Sequence, residues 1–132
     1  MSAEGKNRLI EDWYRFAHED VEAARELANR GMYYHQTCLL CQQSAEKYLK
    51  AYLLSMGWKL AKTHELSQLL GECTSYDDTF QELYPPCERL NKYIVAGRYP
   101  GDLPFDSTTG EDARRALEAA LEIENFVLGK RG

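Results

Sequence analysis

The chain has 132 residues, a length that accommodates one domain with a single hydrophobic core but is too short for two. Hydrophobic residues make up 44% and charged residues 28%, which is typical of folded globular proteins, and no apolar run approaches the ~18 residues that a membrane span requires. The net charge of -5 argues against broad binding to nucleic acid, so RNA is not an expected partner.

The first predicted element is a helix from about Asn7 to Arg30. Its apolar residues fall on one arc at a spacing of 100° per residue, and Gly31 follows at the position of a left-handed C-cap. The opposite face carries charged residues and His18, and reads as exposed to solvent. Asp20 breaks the pattern, because this acid projects within the apolar arc.

A second helix is predicted from about Tyr34 to Met56, ending at Gly57. Its main apolar face includes Met56, but further leucines lie beside the polar face. Such a helix is expected to be central, with its own core on one side and a second subunit on the other. The pattern therefore predicts a homodimer. These additional leucines are Leu39, Leu40 and Leu54.

Shorter helices follow. Thr63 is the predicted N-cap of a third helix from His64 to about Cys73, and the stretch SYDD offers a cap for the next turn. Pro85 and Pro86 forbid an unbroken helix, so a kink or restart is expected, continuing to Val95.

The last helix is predicted from about Glu111 to Leu128, capped by Thr108 or Thr109. One acid, Glu124, points into its apolar side. No segment alternates with the period of a strand. The sequence predicts a single all-α domain, residues 1–132, built as an up-and-down helical bundle of four to five helices.

His35, Cys38 and Cys41 imitate the spacing of metal ligands. On a helix, however, steps of three residues spread these side chains over about 120°, so they do not converge on one ion. We expect reduced core cysteines, no metal and no cofactor. The N-terminus lacks the apolar core of a signal peptide, which together with the cysteines predicts a cytoplasmic protein.

Two polar clusters are candidate sites. Arg98 stands in the loop AGRYPGDLPF, where it either binds an anionic ligand or pairs with the acids Asp20 and Glu124 in a buried network. The second cluster is a strip on the second helix that would bind an anion together with Arg98 and Tyr99. The strip consists of Gln43, Lys47 and Lys50. Its alternative interpretation is a solvated helix face with a Glu46–Lys50 ion pair.

The run CQQSAEKYLKAYLLSMGWKLAKTHELSQLL (41–70), an opening W…A…D…A…L pattern and the segment LNKYIVAGRYP together resemble the HEPN family of nucleotide-binding domains. The pieces cover nearly the whole chain. The resemblance implies a helical bundle that usually dimerises. It also implies a protein that is often encoded beside a small nucleotidyltransferase, in a toxin–antitoxin-like system.

Many members of this family look like metal-independent ribonucleases with an arginine followed four to six residues later by a histidine. Arg98 matches the arginine, but Asp102, Leu103, Pro104 and Phe105 follow it and the histidine is missing. The expectation is therefore a protein without catalytic residues that binds a nucleotide-like or anionic ligand, a nucleotidyltransferase, or both. The alternatives are a ribonuclease toxin with a degenerate site, in which His64 would replace the histidine, and a structural interaction module.

Overall fold

The computed structural model describes residues 2–59, 62–63, 65–93 and 108–131. Within these ranges the chain is almost entirely helical and contains no strand. This confirms the predicted all-α bundle. The elements in chain order are α1 (Ala3–Arg30), α2 (Tyr34–Ser55), α3 (Leu66–Tyr76), a 3-10 helix (Asp78–Leu83), α4 (Tyr84–Asn91) and α5 (Gly110–Lys130). No helix in the described part of the chain is long and apolar enough to cross a membrane.

Helix α1 begins at Ala3, four residues before the start that its apolar pattern predicts. The cause is Ser2, whose Oγ accepts a hydrogen bond from the backbone N–H of Gly5 at 3.0 Å. Such a cap satisfies one of the backbone donors left free at a helix start. At the other end Gly31 adopts φ 68° and ψ 35°, which confirms the predicted left-handed cap.

Helix α2 is the central helix, since it packs against α1, α3, α4 and α5. Small side chains bring α1 close to it: Ser44 Oγ donates a hydrogen bond to the backbone carbonyl of Ala17 at 2.7 Å, and both residues are fully buried. The helix ends at Ser55 and Gly57 follows with φ 89°, as predicted. Met56 is 45% exposed rather than in the core, because it stands beyond the last helical turn.

The start of α3 differs from its prediction. The helix begins at Leu66 with Glu65 as N-cap, and Thr63 accepts a hydrogen bond from the Glu65 N–H at 3.3 Å without capping the helix. The side chain of Asn91, at the end of α4, accepts the Leu66 N–H at 2.9 Å. A distant residue supplies the missing acceptor, and the local sequence does not reveal it. His64 lies outside the described residues.

The prolines mark a restart, as predicted. The 3-10 helix ends at Leu83, and α4 begins at Tyr84 with Pro85 and Pro86 in its first turn. A proline is tolerated there, because the backbone N–H it lacks would have no partner within the helix. The predicted continuation to Val95 lies outside the described residues.

Helix α5 opens with a capping box. Thr109 Oγ1 accepts the Asp112 N–H at 3.2 Å, and Asp112 Oδ2 accepts the Thr109 N–H at 2.9 Å, so Thr109 rather than Thr108 is the cap. The helix packs against α1, α2 and α4. Its Phe126 ring lies 5.0 Å from the ring of Phe80, which ties α5 to the 3-10 helix.

Candidate functional site

The predicted site residues divide into a loop pair and a helical group. Arg98 and Tyr99 lie outside the described residues, so their role stays a prediction. The helical group is held on three elements of the bundle. Its members are Asp20 on α1, Gln43, Lys47 and Lys50 on α2, and Glu124 on α5.

Asp20 and Lys47 form an ion pair between α1 and α2. Lys47 Nζ donates to Asp20 Oδ2 at 2.6 Å, and the lysine and aspartate side chains are 28% and 18% exposed. The pair explains how an acid is tolerated within the apolar arc of α1, because a charge removed from water needs an opposite charge beside it. An ammonium group has three N–H donors, so a half-buried Lys47 keeps donors for another acceptor. Gln43, one turn earlier, is also half-buried.

Lys50 forms a different kind of pair. Its Nζ donates to Glu46 Oε2 at 2.8 Å, with side chains only 5% and 11% exposed, and lies 5.6 Å from the centroid of the Trp13 ring. The predicted Glu46–Lys50 pair is present. The prediction that this pair lies on a solvent-exposed face is wrong. Both side chains are buried, and the Trp13 ring of α1 lies against the ammonium.

Glu124 is the centre of a buried hydrogen-bonded group. Its Oε2 accepts the phenol O–H of Tyr48 and lies 3.1 Å from His18 Nδ1. A carboxylate oxygen accepts, so the imidazole donates from Nδ1. Burial raises the pKa of Tyr48 above its ordinary value and the Glu124 carboxylate raises it further, which keeps the phenol protonated as a donor.

His18 is not among the predicted site residues, because its position on the outward face of the first helix suggests no role. The imidazole is 57% exposed, as an outward position implies, yet it reaches a carboxylate 106 residues later in the chain. Only the packing of α1 against α5 brings the two together, and no local pattern signals it. The predicted network joined Glu124 and Asp20 to Arg98, and that part stays a prediction.

The metal interpretation of the second helix gains no support from its geometry. The four cysteines are buried free thiols, as expected, and His35 is buried as well. Burial raises the pKa of the Cys87 thiol to about 12 and that of Cys41 beyond its ordinary range, so neither is a ready thiolate. In the described ranges no three His, Cys, Asp or Glu side chains are placed to hold a metal ion.

Comparison with known proteins identifies the family to which this chain is similar. A family model described as the HEPN domain matches residues 10–130. No curated protein matches the chain significantly.

Three solved structures are similar over most of the chain. ST0689, an archaeal HEPN homologue, is 31% identical, with 92% of this chain and 96% of that chain covered and a TM-score of 0.75. TT1696 from Thermus thermophilus is 30% identical, with 92% and 97% covered and a TM-score of 0.82. An HEPN domain protein from Thermotoga maritima, tm0613, is 26% identical, with 89% and 95% covered and a TM-score of 0.72. Since the family model spans nearly the whole sequence, the chain belongs to the HEPN domain family.

Proposed function

We propose that this protein is a non-catalytic HEPN protein that binds a nucleotide-like or other anionic ligand at the α2 edge. The α2 edge is the half-buried surface of Gln43 and Lys47, which we expect the loop carrying Arg98 and Tyr99 to complete. The phosphate of such a ligand would accept hydrogen bonds from the Lys47 ammonium and the Arg98 guanidinium. Lys50 supports this surface from beneath through its buried pair with Glu46.

The observation that carries the proposal is the contrast in exposure between the two lysines. Lys47 is held in place by Asp20 at 2.6 Å while 28% of its side chain stays exposed. A cation fixed by a carboxylate loses less conformational freedom when it binds an anion than a free surface lysine does. Asp20 therefore acts as a positioning residue for the lysine that meets the ligand.

The non-catalytic part of the proposal rests on the sequence. The chain has three histidines, and His18, His35 and His64 all precede Arg98. Ribose-directed RNA cleavage needs a base beside the arginine that holds the phosphate. Residues 102–104 are Asp, Leu and Pro, so the histidine that serves as this base in the ribonucleases of the family is absent at that spacing.

We also propose that the protein is a homodimer. Leu39, Leu40 and Leu54 are half-buried although the rest of α2 is largely covered, and a second subunit would cover them. Light scattering over a dilution series should give twice the chain mass of 15.2 kDa. A mass that stays at 15.2 kDa at high concentration would contradict the dimer.

A nucleotidyltransferase partner, in a toxin–antitoxin-like system, belongs to the same proposal. The family resemblance and the loop of Arg98 support this partner, because the Arg98 guanidinium would bind an acidic or phosphorylated group on it. Affinity purification of the tagged full-length chain from its host, followed by mass spectrometry, tests it. Recovery of a stoichiometric nucleotidyltransferase supports the partner, and recovery of the chain alone opposes it.

One experiment separates the proposal from its alternatives. Wild-type protein, Arg98→Gln and the surface control Arg30→Gln are titrated with ATP and AMP and are incubated with a mixed-sequence RNA. We expect saturable nucleotide binding that weakens about tenfold or more in Arg98→Gln, with intact RNA throughout. RNA cleavage that is lost in Arg98→Gln would favour the ribonuclease. Loss of stability in Arg98→Gln, with no nucleotide bound by the wild type, would favour a structural module.

A further inference from the structure

A second concave site lies between the first half of α1 and the C-terminal ends of α2 and α5. This pocket, here named the tyrosine cleft, has a volume of about 300 Å³. The residues that matter for its chemistry are Glu11 and Tyr14 from α1, Tyr52 from α2, and Lys130 and Arg131 from the end of α5. It shares no residue with the α2 edge.

Two phenol groups give the tyrosine cleft free hydrogen-bonding capacity. Tyr14 is 6% exposed and Tyr52 is 7% exposed, and both line the pocket. Neither hydroxyl donates a hydrogen bond to a residue that the structure describes, and neither is among the fully buried polar atoms; because both tyrosines line the pocket, each O–H is available to a ligand there. Burial raises the pKa of both tyrosines, so each is a neutral O–H donor at physiological pH.

Neighbouring side chains hold both cations of the tyrosine cleft in place. The Arg131 guanidinium lies 3.8 Å from the centroid of the Tyr14 ring and pairs with the Glu11 carboxylate. Lys130 pairs with Asp77 at 3.0 Å. A guanidinium carries five N–H donors, and one carboxylate does not occupy them all. Arg131 therefore faces the pocket with donors in reserve.

The uncommitted donors select the kind of ligand. Two cations, Lys130 and Arg131, and one anion, Glu11, line the pocket, and each cation is already paired with a carboxylate, so the net charge of the lining does not decide the ligand. A cationic ligand would have to displace Arg131 from both the Tyr14 ring and Glu11. An anion instead meets an arginine and two phenols that all donate. The volume is at the lower end of small-molecule pockets, which suits one compact molecule rather than a stretch of polymer.

We propose that the tyrosine cleft binds one small organic anion with an aromatic or aliphatic body. Its carboxylate or phosphate accepts hydrogen bonds from Arg131, Tyr14 and Tyr52, and its body packs beside Ile10, which also lines the pocket. This site is independent of the proposed nucleotide site. Tyr52 stands five positions after Lys47, about 140° around α2, so the two surfaces face different sides of the helix.

The test uses phenyl phosphate and benzoate as probes of the two anion classes, with inorganic phosphate as the probe without an apolar body. Isothermal titration of the full-length chain should show saturable binding of phenyl phosphate or benzoate. The variant Tyr14→Phe/Tyr52→Phe should weaken binding about tenfold, and Arg131→Gln should weaken it more, because a charge-assisted bond is lost. Arg30→Gln, which changes an exposed arginine elsewhere on α1, should bind like the wild type.

Tyr14→Phe/Tyr52→Phe keeps both rings, so urea unfolding should show that the fold persists while binding falls. Absence of saturable binding to any probe up to about 10 mM in the wild type would overturn the proposal. Equal affinity in the wild type, the double variant and Arg131→Gln would overturn it as well. Lys47→Gln distinguishes the two sites: the phenyl phosphate binding that Tyr14→Phe/Tyr52→Phe weakens should persist in this variant, and its loss in Lys47→Gln instead would assign that binding to the α2 edge and overturn the proposal.

Discussion

The two lysine–carboxylate pairs of α2 lie one helical turn apart, and they differ in what surrounds them. Lys47 and Asp20 sit at the rim of the α1–α2 interface, with 28% and 18% of their side chains exposed. Lys50 and Glu46 are buried, with 5% and 11% of their side chains exposed, and the Lys50 ammonium lies 5.6 Å from the centroid of the Trp13 ring. The sequence places both lysines on one polar strip, and only the packing of α1 separates their roles.

This difference shows that formal charge is a poor guide to binding capacity. A buried lysine that is paired with a carboxylate contributes mainly to the structure, because its charge is neither free nor accessible. A lysine at the rim keeps donors for a ligand. The same reasoning applies to the tyrosine cleft, where two neutral phenols line a pocket that a ligand can enter, whereas Lys50 is buried.

The largest expected effect on stability comes from Lys50→Ala. This change leaves the Glu46 carboxylate in a buried position without its ammonium, which costs about 3–5 kcal/mol of the free energy of unfolding. Urea unfolding monitored by circular dichroism measures the loss. In the double variant Glu46→Gln/Lys50→Met, which removes both charges, part of the loss should be recovered. A loss below about 1 kcal/mol in Lys50→Ala would show that the pair behaves as a surface pair.

A smaller loss of the free energy of unfolding is expected from Glu124→Ala. The change removes the acceptor of the Tyr48 hydroxyl and of His18, and leaves a buried phenol without its partner, at a cost of about 2–3 kcal/mol. His18→Ala should cost under about 1 kcal/mol, because the imidazole is 57% exposed. The same urea experiment compares the two variants. Equal losses would contradict the assignment of Glu124 as the buried centre of this group.

The fold was predictable to a large extent because its signals are local. The apolar arc of α1, the left-handed Gly31, the prolines at 85 and 86 and the cap at Thr109 all lie within a few residues of the feature they specify. The Thr63 cap fails for the opposite reason. Asn91 supplies the acceptor at the start of α3 from 25 residues away.

The candidate sites were less predictable, because they depend on which helices touch. The burial of Lys50 follows from the position of Trp13 on another helix, and the pair of His18 with Glu124 follows from the packing of α5. The tyrosine cleft joins three helix segments that are far apart in the sequence. Periodicity assigns a residue to a face of its helix, but it does not identify the neighbour of that face.

The smallest expected effect is a pH dependence at His35. This residue is 6% exposed, and burial lowers its pKa from the ordinary value of 6.5. The unfolded chain then binds a proton more readily than the folded one, so stability is full above pH 6.5 and falls as the pH drops below it. In His35→Gln this part of the slope should vanish. Urea unfolding between about pH 5 and 8 tests it, and identical slopes in both proteins would contradict the prediction.

The central claim is that Lys47 binds the ligand, whereas the buried pair of Lys50 and Glu46 stabilises the fold. The most direct measurement is an ATP and AMP titration of the wild type, Lys47→Gln and the exposed control Arg30→Gln, each first checked for folding by urea unfolding. We expect Lys47→Gln to bind about tenfold more weakly than the other two, with a stability loss of only about 1 kcal/mol. Equal affinity of all three proteins, or no saturable binding by the wild type, would contradict the claim.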